Sequence, residues 1–91
     1  MIDPDKTGAY IAQLRKARDW TPGELADQLH VTHQAISRWE TGDSFPDLVT
    51  LARLAEVFRV RVENLMYGDP GASSTETARN RVLAELAPGR V

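Results

Sequence analysis

Residues 21–42 read TPGELADQLHVTHQAISRWETG, and this stretch decides the fold. Thr21-Pro22-Gly23-Glu24 has the marks of a helix start. A hydroxyl can cap the first free N–H groups, a proline sits at the first helical position, and a glutamate three residues on closes a capping box. Leu25, Ala26 and Leu29 then lay an apolar stripe along a short helix that runs to about His30. Val31-Thr32 leads directly into another helix. Thr32 is its N-cap, residues 33–41 are its body, and Ile36 and Trp39 lie three apart on one side. Gly42 is placed to end it in a left-handed turn.

Two short helices joined through a two-residue turn must meet a joint steric condition. The first needs a very small side chain where the backbones cross, and Ala26 supplies it. Leu25 and Leu29 must bury around that crossing, while Val31, Ile36 and Trp39 must point back into the same core. The turn asks for a residue that tolerates positive φ and holds His30, at a cost of about 1 kcal/mol. Any helical bundle would show one such helix. The joint pattern predicts a helix-turn-helix.

Working outward, Tyr10, Ile11, Leu14 and Ala17 recur at helical spacing and predict a helix over residues 8–18, after a polar leader at 1–7. Downstream, Asp43-Ser44-Phe45-Pro46 reads as a loop. Asp47 then caps a fourth helix bearing Leu48, Leu51, Leu54, Ala55 and Phe58. A fifth helix over Val62, Leu65 and Met66 ends at Tyr67-Gly68. The expected fold is therefore an all-α, five-helix domain over residues 8–68. Gly, Pro and Ser content marks residues 69–74 as a linker. Residues 75–91 are expected to be an amphipathic helical tail, with Ala78, Val82, Leu83 and Leu86 on one side and Pro88-Gly89 as its stop.

A chain of 91 residues supports one small domain. No run approaches the roughly 18 apolar residues of a membrane span, and MIDPDKTGAY has no apolar core, which argues against a signal peptide. The absence of cysteine removes disulfides and Cys-ligated zinc and suits a cytoplasmic location. The net charge of −2 bears on nucleic acid. Residues 1–68 hold eight Lys/Arg against ten Asp/Glu, so the deficit lies in the folded part. Net charge governs approach and non-specific attraction more than groove contacts, so it limits affinity without excluding DNA.

Residues 8–55, GAYIAQLRKARDWTPGELADQLHVTHQAISRWETGDSFPDLVTLARLA, closely resemble the phage-repressor/Cro-like (XRE) helix-turn-helix family of bacterial and phage transcriptional regulators. The likeness extends over residues 8–68. It implies a five-helix domain whose third helix enters the major groove of double-stranded DNA. The expected function is a sequence-specific transcriptional regulator, a repressor that binds a pseudo-palindrome as a homodimer. Two departures stand out. The family's glutamine at the start of the second helix, a common phosphate contact, is Pro22 here, and the often basic loop after the third helix is Asp43-Ser44.

By this resemblance His33, Gln34, Ser37 and Arg38 face the bases. Their chemistry agrees, since Gln can pair with adenine, Arg with guanine, and Ser and His can take either role. On chemistry alone a solvated helix face is an equal reading. Ala35 is small enough to meet a thymine methyl or to be filler. Thr21, Thr32, Thr41 and Ser44 are expected to donate to phosphates, together with Arg15. The resemblance also pairs Arg15 with Glu40 as a bridge between the first and third helices. Trp39 falls in line with Ile36 and is expected in the core. His30 and His33 straddle a helix start without a third ligand, so neither metal nor cofactor is expected. No positioned acid, base or nucleophile argues for an enzyme. The alternative reading is an antitoxin-type or other protein-interaction module on the same fold, with residues 75–91 as the segment that meets a partner.

Overall fold

The computed structural model describes residues 2–70, and the expected tail over 75–91 and most of the expected linker lie outside them. Five α-helices follow one another: α1 (Pro4–Ala17), α2 (Pro22–Leu29), α3 (His33–Thr41), α4 (Leu48–Phe58) and α5 (Val62–Tyr67). No strand occurs among the described residues. The expected five-helix, all-α class is the observed one.

The start of the first helix differs from expectation. α1 begins at Pro4, because Asp3 caps it: Oδ1 accepts from the backbone N–H of Asp5 (3.0 Å) and Lys6 (3.3 Å). Most of the expected polar leader is therefore helix. Its Thr7 is fully buried, and its hydroxyl donates to the carbonyl oxygens of Leu65 (2.6 Å) and Met66 (3.1 Å). A polar residue thus closes the end of α5, whose last carbonyls have no partner within their own helix. Gly8 allows α1 and α3 to touch: a Cβ there would press on the carbonyl oxygens of Trp39 and Glu40.

α1 packs on α3 and α5, α2 on α3 and α4, and α4 on α5. The enclosed core is Tyr10, Ile11, Leu25, Ala26, Leu29, Ile36, Trp39, Leu51, Leu54, Ala55, Phe58 and Leu65. Ala26 is buried at the α2–α3 crossing, and Val31 packs against the core from its edge. The turn between α2 and α3 spans His30, Val31 and Thr32, one residue more than the pattern predicts. His30 adopts the left-handed conformation at φ 57°, ψ 43° and so already lies outside the helix. Of the apolar residues read along the fourth helix, Leu48 stands apart: it is 74% exposed at the first position of α4.

Candidate nucleic-acid interface

Three local devices set the position of α3. The Thr32 hydroxyl accepts from Ala35 N–H (3.2 Å) and fixes where the helix begins. Gly42 ends it at φ 82°, after which Asp43 N–H (2.9 Å) and Ser44 N–H (3.2 Å) both donate to Arg38 O. One helix earlier, the Thr21–Glu24 capping box at the start of α2 is complete: Thr21 N–H donates to Glu24 Oε1 (2.9 Å) and Glu24 N–H to Thr21 Oγ1 (3.1 Å). With both helix starts fixed, the angle between α2 and α3 follows from Ala26, Leu29 and Ile36 packing at the crossing.

The orientation of α3 against α1 rests on Arg15. Its Nε donates to Glu40 Oε2 (2.7 Å) and its Nη2 to Glu40 Oε1 (2.9 Å), the parallel two-bond geometry that suits guanidinium and carboxylate. Nη1 donates to the backbone oxygen of Trp20 (2.7 Å), so one side chain ties together α1, α3 and the entry to α2. The two side chains retain only 11% and 13% of their exposure. The hydrogen bond to Glu40 raises the Arg15 pKa, and burial opposes it in part. Trp20 is held from its other side as well. It lies 6.0 Å from the Phe58 ring, and the Arg18 guanidinium stands over both, 5.6 and 5.0 Å from their centroids. Nothing in residue spacing points to the Trp20 carbonyl, because a backbone acceptor leaves no mark in sequence.

His33, Gln34, Ser37 and Arg38 are all exposed, while Ile36 and Trp39 on the reverse of α3 are buried. The helix places 33 above 37 and 34 above 38, so the four side chains form one outward panel. Ala35 is half-buried against the core, which leaves little of it to that panel. Thr21, Thr32 and Ser44 lie exposed around the panel's edges.

Two residues of the expected backbone-contact set are already engaged. The Thr41 hydroxyl donates within α3, to Ser37 O (3.1 Å) or Arg38 O (3.2 Å), and its single proton is then not available to a phosphate. Arg15 is buried, with three of its donors committed. Both engagements arise inside the protein: nearby acceptors take up donors that the sequence presents as free. No group of three or more His, Cys, Asp or Glu that could hold a metal ion occurs among the described residues. None of their helices is long and apolar enough to cross a membrane.

Comparison with known proteins bears on this arrangement. The family described as Helix-turn-helix matches residues 11–65, more than half of the chain. The HTH-type transcriptional activator BcrR of Enterococcus faecalis is 32% identical over 76 residues, 84% of this chain and 37% of that protein. The HTH-type transcriptional regulator DicA of Escherichia coli (strain K12) is 32% identical over 68 residues, 75% of this chain and 50% of that protein. The chain thus spans half or less of the length of these two relatives. Among solved structures, the restriction-modification controller protein C.AhdI from Aeromonas hydrophila superposes with a TM-score of 0.64 at 24% identity. That match covers 69% of this chain and 96% of the other. The clp gene regulator ClgR from C. glutamicum gives 0.65 at 21% identity, covering 79% and 94%. These two likenesses are of fold. Since the family match takes in the helix pair, its crossing and the core behind it, the chain belongs to the XRE-type helix-turn-helix family.

Proposed function

We propose that this chain is the DNA-binding part of a transcription regulator, reading base edges in the major groove with His33, Gln34, Ser37 and Arg38. The observation that carries the reading is the outward panel on α3, four exposed hydrogen-bonding side chains backed by buried Ile36 and Trp39. In such a complex the second helix of the pair enters the groove while the first crosses the backbone. Gln34 then pairs with adenine and Arg38 with guanine, and His33 and Ser37 adjust to either. Thr21, Thr32 and Ser44 supply hydroxyl donors to phosphates, with backbone N–H groups at the starts of α2 and α3. Arg15 and Glu40 hold α3 at its angle and leave phosphate binding to others. Two copies bind adjacent half-sites, since two-fold protein symmetry matches a pseudo-palindrome. BcrR is named an activator and DicA a regulator, so the proposal covers DNA reading and assigns no sign to the regulation.

Selection of binding sites from random duplex DNA with the full chain tests this reading. The expected result is an enriched pseudo-palindrome. A pool that stays random at low salt would overturn it in favour of a protein partner, the reading that the acidic balance and Pro22 favour.

A further inference from the structure

Arg18 caps the end of α1 and is half-buried, yet among the described residues no carboxylate pairs with it. Its guanidinium closes over the Trp20 and Phe58 rings instead. Such a cation is drawn to the aromatic faces, and more strongly where water is excluded. Phe58 provides that dry side, since it is 3% exposed and is the last residue of α4.

The turn between α1 and α2 hangs on Trp20. Asp19 before it takes the left-handed conformation at φ 57°, which a side chain disfavours. Both backbone groups of Trp20 return to Arg15: its N–H donates to Arg15 O (3.2 Å), and its carbonyl accepts from Arg15 Nη1 (2.7 Å). These two bonds tie the turn to α1. The ring ties it to α4, through Phe58. α1 packs on α3 and α5 while α4 packs on α2 and α5, so the stack links two helices that share no broad face. The link continues to α3. Arg15 holds the Trp20 carbonyl with Nη1 and Glu40 with Nε and Nη2. A guanidinium is planar and its donors form one fixed fork, so a shift of the Trp20 carbonyl turns the edge that Glu40 meets. Glu40 stands two residues from Arg38 on the same helix.

We infer that Arg18 is a positioning residue: by clamping Trp20 against Phe58 it fixes the carbonyl that orients Arg15, and so sets the angle at which α3 presents its outward panel. Only the last step, from that angle to base discrimination, rests on the proposed DNA reading. The first measurement needs no DNA. In the 15N-labelled full chain, solvent exchange of the Arg15 Nε–H is compared with that of the backbone N–H of Leu54, a fully buried residue of α4. The variants are Arg18→Ala and Arg18→Gln, with Arg53→Ala as control, an exposed arginine of α4 outside the stack. Arg18→Ala is expected to speed the Arg15 proton about tenfold more than the Leu54 proton, by local opening. Arg18→Gln keeps the stem over the rings without the charge and is expected to act in the same direction, to a smaller extent. Should Arg18→Ala fail to fold, Arg18→Gln carries the comparison. Equal acceleration of both protons would overturn the inference, since Arg18 would then stabilise the whole domain without holding Arg15. An equal change in Arg53→Ala would overturn it too, as an effect of net charge.

The second measurement is the ratio of affinities for the selected duplex and for one altered at the base pair assigned to Arg38. Arg18→Ala is expected to narrow this ratio about threefold or more, and Arg53→Ala to keep it. An unchanged ratio in Arg18→Ala would overturn the step from Arg15 to base discrimination. If wild type binds no duplex, the DNA reading falls, and the exchange measurement still decides whether Arg18 holds Arg15.

Discussion

At the residue scale, one ion pair and one strained turn carry most of the consequence. Arg15 and Glu40 are each about nine-tenths removed from solvent, and each satisfies the other's geometry. Removing one charge leaves the other buried and unmatched, which costs more than the pair itself contributes. Glu40→Gln puts an amide nitrogen where a carboxylate oxygen accepted, and it is expected to cost about 3 kcal/mol, roughly 12–24 °C in Tm. A thermal melt within a degree or two of wild type would show that the pair is solvated and loose. His30 presents the opposite case. It sits at φ 57°, where a Cβ crowds the following carbonyl oxygen, and glycine has no such conflict. Part of the relief is offset by glycine's greater freedom in the unfolded chain. His30→Gly is therefore expected to raise stability by about 0.5 kcal/mol, seen as a higher urea midpoint at unchanged slope. A lower midpoint would mean that the imidazole makes a contact worth more than the strain.

At the element scale, the legible features are those whose partners lie within one turn. The Thr21–Glu24 box, the Thr32 cap and the Asp47 cap each join a side chain to backbone three residues away, and the Gly42 stop joins its own N–H to the Trp39 carbonyl three residues back, so spacing alone reveals them. The start of α1 escaped because apolar periodicity begins only at Tyr10, although Asp3 before Pro4 is itself a cap followed by a first-turn proline. Thr7 and Asn64 escaped for a different reason. Thr7 satisfies carbonyls some sixty residues away, and Asn64 is buried while its amide donates to Asp69 O and Pro70 O, both at 3.1 Å. A polar residue buried by a distant or irregular partner looks like surface in sequence. Of the panel proposed to read bases, the common exposed face of the four residues was legible from helical spacing, whereas the prior engagement of Thr41 and Arg15 was not. The cap of α4 gives a pH test. The Thr50 N–H donates to Asp47 Oδ1 (2.8 Å) and holds that carboxyl below its ordinary value. The folded state thus takes up this proton less readily than the unfolded chain. The cap's stabilisation is complete above the ordinary Asp value of about 3.9 and is lost as pH falls through the lowered one. Asn caps as well as Asp without titrating in this range. Wild type is therefore expected to lose stability relative to Asp47→Asn as pH drops from 5 to 2, measured by urea midpoints. Parallel curves would contradict the role given to this carboxylate.

At the scale of the whole molecule, the acidic balance and the proposed groove-reading face have to coexist. Each phosphate neutralised by Lys or Arg contributes about 0.9 to the slope of log affinity against log salt. Arg38 is exposed on the panel and Lys16 is exposed near the end of α1, whereas Arg15 is committed to Glu40. The remaining backbone contacts come from hydroxyls and N–H groups, which position the protein and release few counterions. A salt series on the selected site is therefore expected to give a shallow slope of about 2 or less per bound domain. A slope of about 6 or more would bring Arg53, Arg59 or Arg61 onto the backbone and redraw the face. With little charge-driven attraction, the proposed complex draws its specificity from base contacts, and the proposal assigns the best-defined one to Arg38. Fluorescence anisotropy with Arg38→Ala tests this most directly, on the selected duplex and on duplexes altered at each base pair in turn. The account predicts a loss of about 1–3 kcal/mol on the selected duplex and relaxed preference at one G·C position, with all other positions discriminated as before. Equal weakening on every duplex, with preference intact at every position, would contradict base reading by Arg38 and make it a phosphate contact.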